Sequence, residues 1–254
     1  MSAGGGASVR DLQAFLRTSA QRGRKIVRAG PFTVTIHPDD PLRFLNYAIP
    51  DDGARPEPDA IAALRDAFRL HERRPRLEWI EEAAPAVAAA LGAAGMVEAL
   101  RTPLMTCGPD ELVVPAADVP GLVVGPVGDA DLRDAARVQR AAFGQAPLRA
   151  DEPPYDSRRG GGGAVLARVG GAPAAVAAWT AVVDGTSEVA GVATAEAWRR
   201  RGLAGVVTAA AARAAFAAGA RLCLLSPGND EAQRVYARAG FRGTATMLHW
   251  ADPD

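Results

Sequence analysis

Arg199-Arg200-Arg201-Gly202-Leu203-Ala204-Gly205 follows a strand-like run from Glu188 to Thr194 and opens a long alanine-rich helix. Arg199, Gly202 and Ala204 fit a pattern R-x-x-G-x-A at a strand-to-helix junction. Such a junction suits phosphate. The first turn of a helix carries N–H groups without intrahelical partners, and the helix dipole adds partial positive charge there. A glycine lets the backbone approach an anion closely, three arginines add cationic charge, and Ala204 leaves room where a large side chain would block a ligand. The competing reading is a solvated loop at a helix start, because short Gly and Arg patterns recur by chance.

The rest of the chain narrows the choice. Its 254 residues allow one large domain or two ordinary ones. At 48% hydrophobic and 23% charged residues it has the composition of a globular protein with a real core. Lys+Arg and Asp+Glu are both 29, so the zero balance argues against a general nucleic-acid binder. Cys107 and Cys223 stand far apart and suggest neither a disulfide framework nor a zinc site. Three histidines make a His-rich metal cluster unexpected, and no metal is assigned. No run is apolar enough to span a membrane, and Val206–Ala220 contains Arg213. Met1–Arg10 lacks a signal-peptide core, so the expected compartment is the cytoplasm.

Organisation follows from periodicity and punctuation. Residues 1–8 are expected to be disordered, and 9–19 to form a short helix. Phe32–Ile36, Leu42–Ile49 and Arg76–Ile80 read as strands. Asp59 is placed as the cap of a helix to about His71, with Ile61, Leu64, Phe68 and His71 on one face. Pro85–Ala94 reads as a helix closed by Gly95. Pro115–Pro120 reads as a linker. Beyond it come a strand at Leu122–Val127, a helix capped by Asp129 or Asp131, and a Gly-rich loop, Asp151–Gly163, expected to be mobile. Strands near Ala164–Val169 and Ala174–Val183 join at Gly170-Gly171 as a hairpin. After Glu188–Thr194 come the Ala204–Ala218 helix, a strand at Leu222–Leu225, a helix at Asn229–Ala239 and a last strand at Thr244–Trp250. The sum is a mixed α/β sheet flanked by helices.

A shift of 145 positions lays two segments of the second half on the first without a gap, as expected of repeated supersecondary units, with chance the competing reading because identities are few. Arg221-Leu222 falls on Arg76-Leu77, and Ala239-Gly240 on Ala94-Gly95. Arg199 to Ala204 falls on Ala54 to Asp59, which has no phosphate-loop character, and Tyr236 falls on Leu91. The expected domains are 9–114, a structural copy, and 121–254, the copy that carries the site, with 115–120 between them.

Two ordered motifs carry a family resemblance. The first is Val192-Ala193-Thr194 followed by Arg199-x-x-Gly202-x-Ala204, and the second is Asn229-x-x-Ala232-x-x-x-Tyr236-x-x-x-Gly240-Phe241. Over about residues 121–254 the chain resembles the GNAT superfamily of acyl-CoA-dependent N-acyltransferases, and as a whole it resembles a tandem GNAT protein with a degenerate N-terminal copy. The resemblance implies a mixed, mostly antiparallel sheet flanked by helices. It implies acetyl-CoA as acyl donor, with Val192, Ala193 and Thr194 offering backbone groups to the pantetheine arm. The N–H groups of Arg200, Arg201, Gly202, Leu203, Ala204 and Gly205 would hold the pyrophosphate, Arg199 would open that loop, and Asn229 and Ala232 would line the cofactor side. Tyr236 would lie near the thioester sulfur as general acid, and Glu188 would act as general base, directly or through a water.

That assignment meets the needs of acyl transfer: a deprotonated amine, a polarised carbonyl and a protonated leaving thiolate. Each residue also has a plainer reading. Tyr236 shares a face with core positions, Glu188 can be a surface strand charge, and Asn229 can be an N-cap. Cys223 reads as a small buried hydrophobe. No Cys or Ser sits in a nucleophile setting, so direct transfer in a ternary complex is expected. The acceptor would be a small-molecule or peptide amine; no nucleic acid or membrane is expected, and a homodimer is allowed for. The alternative is a non-catalytic acyl-CoA-binding or sensing protein. A nucleotide-binding domain is disfavoured by the absence of G-x-x-x-x-G-K-[ST].

Overall fold

The computed structural model describes residues 7–38 and 43–253. The chain forms two compact units, one of Met1–Leu104 with Gly243–Asp254 and one of Met105–Arg242. This division differs from the one read off the sequence. Residues 115–120 lie inside the second unit, and the last strand belongs to the first. Residues 1–6 of the stretch expected to be disordered lie outside the described residues. Ser8, in the same stretch, caps the first helix, its hydroxyl accepting from the Asp11 N–H at 3.2 Å.

In the first unit, α1 (Val9–Ala20), α2 (Pro58–Arg69) and α3 (Ala86–Ala93) accompany β1 (Lys25–Ala29), β2 (Phe32–Ile36), β3 (Tyr47–Pro50) and β4 (Arg76–Ile80). The start of β5 (Val97–Cys107) and the closing strand β11 (Arg242–Ala251) complete its sheet, in the order β1-β2-β3-β4-β11-β5. β3 and β4 are parallel, and the pairs β1–β2, β2–β3 and β4–β11 are antiparallel. Phe32, Val34, Leu77 and Trp79 meet Ile61, Leu64 and Phe68 of α2, three residues spaced to share one helical face. Leu248 and Trp250 pack in this same core, which is why the last strand belongs here. Neither β1 nor β5 is anticipated by pattern. β1 is short and largely exposed, and β5 carries Pro103, which argues against a strand. Asp59 sits within the first turn of α2; the cap is Glu57, ahead of Pro58.

The second unit holds the end of β5, then β6 (Leu122–Pro126), α4 (Leu132–Ala142), β7 (Gly163–Val169), β8 (Ala172–Trp179), β9 (Thr186–Thr194), α5 (Leu203–Ala217), β10 (Leu222–Leu225) and α6 (Asp230–Arg238). The strand order is β5-β10-β9-β8-β7-β6, antiparallel except for β9–β10. The β7–β8 hairpin turns on Gly170 and Gly171, both at positive φ, as a tight two-residue turn requires. One sheet face packs against Leu203, Val207, Ala211 and Ala215 of α5, and the other against Ala135 and Val138 of α4. Ala174–Ala177 of β8 are buried throughout, as befits a strand covered on both faces.

Pro58–Arg69, Arg76–Ile80 and Ala86–Ala93 in the first unit match Leu203–Ala217, Leu222–Leu225 and Asp230–Arg238 in the second at nearly the same offset. The shift seen in the sequence therefore superposes helix on helix and strand on strand.

Candidate functional site

β9 and β10 pair through Leu222↔Thr186, Cys223↔Ser187 and Leu224↔Glu188, and there the ladder ends. β10 leaves at Leu225, while β9 continues to Thr194 with only β8 beside it. The strands thus part at Glu188, leaving the 189–194 side of β9 without a strand partner among the described residues. An open strand edge offers N–H and C=O groups that an extended chain with amides can pair with. Val192, Ala193 and Thr194 all lie on this edge.

Next to it the chain turns into α5. Arg199 is extended, Arg200 has φ +61, and Gly202, the N-cap, has φ +83 with no side-chain cap bond. Among the described residues no oxygen accepts from the N–H groups of Leu203, Ala204 or Gly205. Donors and dipole therefore point the same way at the start of α5. Leu203 and Gly205 face inward: Leu203 is a core side chain, and a Cβ at Gly205 would meet Pro115 Cγ at 3.0 Å. Ala204, between them, is half-buried. Arg201 lies over the Trp198 ring at 5.1 Å. Arg199 Nε reaches the Thr194 carbonyl at 3.4 Å, and exposed Arg200 stands 3.6 Å from Glu231 on α6.

α6 begins at Asn229, whose Oδ1 accepts from the Ala232 N–H at 2.9 Å, so Asn229 serves as an N-cap. Tyr236 is half-buried against the α5-side core, and its hydroxyl makes no hydrogen bond to a described residue. Burial pushes that hydroxyl up to about 12, so it holds its proton at neutral pH.

Glu188 marks the point where the strands part. Its N–H donates to Thr180 Oγ1 at 2.9 Å, and its carbonyl accepts from the Thr180 N–H at 2.9 Å. Register puts its side chain on the face of Leu224, opposite to that of Cys223 and Leu225, which line the core touched by Tyr236. Glu188 and Tyr236 therefore stand on opposite faces of the sheet, one on each side of the opening. Burial raises the Cys107 thiol to about 11 and the Cys223 thiol to about 12. Neither forms a thiolate nucleophile near neutral pH. Among the described residues no group of three or more His, Cys, Asp or Glu could hold a metal ion. No described helix is long and apolar enough to cross a membrane.

The loop after α4 is laced down. Arg133 donates to the carbonyls of Arg149, Ala150 and Glu152, Arg140 pairs with Glu152, and Arg158 pairs with Asp156 and Asp129. Trp179 packs its ring beneath Gly163, where a Cβ would come within 2.8 Å.

Comparisons with known proteins bear on the family and the fold. A family model described as the acetyltransferase (GNAT) family matches residues 131–241. A solved GCN5-related N-acetyltransferase from Kribbella flavida is 36% identical, with a TM-score of 0.80 over 98% of this chain and 97% of that one. The chain belongs to the GNAT family. It is accordingly an acyltransferase by family and fold. Two more distant GNAT structures share the fold. A GCN5-related N-acetyltransferase from Sphaerobacter thermophilus matches at 16% identity, TM-score 0.60, over 89% of this chain and 81% of that one. A tandem GNAT protein from the clavulanic acid biosynthesis pathway matches at 15% identity, TM-score 0.58, over 90% and 82%. No curated protein sequence matches the chain.

The sequence alone did not reveal two features of this candidate site. Gly191, at φ +60, introduces a bulge into β9, and Gln139 Nε2 donates to its carbonyl at 2.9 Å. A glycine inside a strand pattern signals a bulge; nothing local marks Gln139. The first unit shows the contrast. Its parallel strands β3 and β4 share the single registered pair Ala48↔Leu77. Fully buried Gln13 then bridges them, Nε2 donating to the Pro50 carbonyl at 3.3 Å and Oε1 accepting from the Ile80 N–H at 3.0 Å. Its α2 begins with Glu57 and Pro58, a carboxylate and a residue without an N–H where α5 has Gly202 and Leu203.

Proposed function

We propose that this protein transfers an acetyl group from acetyl-CoA directly to the amine of a small-molecule or peptide acceptor within a ternary complex. We also propose that the chain carries two copies of the GNAT fold, only the second of which binds acetyl-CoA. The observation that carries the reading is the parting of β9 from β10 at Glu188, beside an α5 start whose first three N–H groups have no acceptor among the described residues. The open edge suits the pantetheine amides, and the α5 start with Arg199 and Arg201 suits the pyrophosphate. Gln13, Glu57 and Pro58 support a structural role for the first copy.

The placement of acid and base on opposite faces supports the reaction order. An ammonium acceptor on the Glu188 face loses one proton there, attacks the thioester carbonyl in the opening as the free amine, and sheds its second nitrogen proton to the same side as the amide forms. The C–N bond forms, the tetrahedral centre collapses, and the C–S bond breaks toward the other face. There the Tyr236 hydroxyl donates a hydrogen bond to the departing thiolate, which takes its proton from solvent. Buried, protonated thiols at Cys107 and Cys223 support transfer without an acyl-enzyme.

The test is acetyl-dependent release of CoA thiol across a panel of amines, with calorimetry of acetyl-CoA against ATP and NAD. Turnover with at least one amine supports the enzyme. Binding of acetyl-CoA with no turnover on any amine points to an acyl-CoA-binding or sensing protein, and binding of ATP or NAD instead overturns both.

A further inference from the structure

We propose that Gln139 is a positioning residue for the acyl donor, acting through the peptide that joins Gly191 to Val192. The inference rests on the acyl-CoA function proposed above. β9 gains a residue on β8 between the pairs Ala178↔Ala190 and Val176↔Ala193, so Gly191 and Val192 together face Ala177. Such a bulge re-aims the backbone beyond it. The backbone beyond this one is the open edge from Val192 to Thr194.

A bulge needs something to hold its direction. Here the Gly191 carbonyl turns toward α4 and accepts from Gln139 Nε2 at 2.9 Å. A trans peptide holds its C=O and N–H antiparallel, and no described peptide is cis. The Val192 N–H therefore points away from α4, and the Val192 side chain packs into the α5-side core that also takes Leu203 and Tyr236. Glycine favours the arrangement. The φ of +60 disfavours other residues, and a Cβ at 191 would stand 2.5 Å from Gln139 Nε2. The glycine and the glutamine, on separate elements, together set one peptide plane, and that plane sets the edge on which the donor's arm lies.

The test uses the full chain with Gln139→Met, which keeps length and removes the donor, and Gln139→Lys, which keeps a donor. Wild type and variants are compared for acetyl-CoA affinity by calorimetry, for KM and kcat, and for unfolding midpoint without ligand. Gln139→Met should weaken affinity and raise KM by about 2- to 12-fold, the range expected for one amide–carbonyl hydrogen bond. Gln139→Lys should recover most of that loss. Affinity and KM unchanged in Gln139→Met overturn the role, even if the unfolding midpoint falls. A Lys variant as weak as the Met variant also overturns it. A wild type that binds no acetyl-CoA overturns the proposed function itself, an outcome separate from a failure of the variants alone.

Discussion

Tyr236→Phe separates the chemical role of the tyrosine from its packing. The ring fills the α5-side core in either residue, and the hydroxyl has no described protein partner. Stability should therefore move by no more than about 0.5 kcal/mol, and acetyl-CoA affinity should stay near wild type. Turnover should fall. A hydroxyl held at about 12 is a weaker acid than an ordinary thiol at about 8.5, so complete proton transfer to the thiolate runs uphill by ~5 kcal/mol. The hydroxyl contributes instead as a charge-assisted donor to developing negative charge on sulfur, about 1.5–3 kcal/mol. That corresponds to a roughly 10- to 150-fold loss of kcat. The assay is steady-state thiol release at saturating acetyl-CoA, paired with calorimetry. Wild-type turnover in the Phe variant, or a loss confined to acetyl-CoA affinity, would refute the reasoning.

Three further outcomes are expected. Gly202→Ala forces an L-residue to φ +83 with its Cβ 3.2 Å from the Ala116 carbonyl; it should cost about 1–2 kcal/mol in a thermal melt and weaken acetyl-CoA binding in calorimetry. Gln13→Leu orphans the buried Ile80 N–H and leaves the Pro50 carbonyl to Arg17 Nη2 at 3.3 Å; the lost partner costs about 1–3 kcal/mol, so the denaturant midpoint should fall while one acetyl-CoA still binds per chain. At Glu78, burial raises the carboxyl, but His249 and Arg76 outweigh it and hold the group at about 2. Because the folded value lies below the unfolded one, this stability is present above about pH 4.5 and is lost as pH falls toward 2; Glu78→Gln should flatten that part of the acid-unfolding curve measured by circular dichroism.

The elements with strong local signals were legible. Ile61, Leu64 and Phe68 mark the buried face of α2, Gly170-Gly171 marks the hairpin, and Asn229 marks the start of α6. β1 and β5 were not, because an exposed edge strand and a strand carrying Pro103 lack the alternation that reveals a half-buried one. The loop of residues 151–163 has the composition of a mobile segment, yet Arg133, Arg140 and Arg158 hold it through side chains from other elements or distant turns. At the site, the phosphate-loop pattern and the second motif were readable as residue types at fixed spacing.

The sequence by itself determined where the anion-suited helix start lies, which tyrosine follows it, and that the first half lacks its counterpart. These are local matters of residue type and spacing, set by free N–H groups, small side chains and helical period. Tertiary structure alone decided which unit receives the last strand, where β9 leaves β10, and that Glu188 and Tyr236 stand on opposite faces of the opening. It alone brought Gln139 to the Gly191 carbonyl and Gln13 between β3 and β4. The physical reason is common to these cases. Strand pairing and side-chain hydrogen bonds across elements join residues far apart in the chain, and no period or motif in a single segment encodes its distant partner.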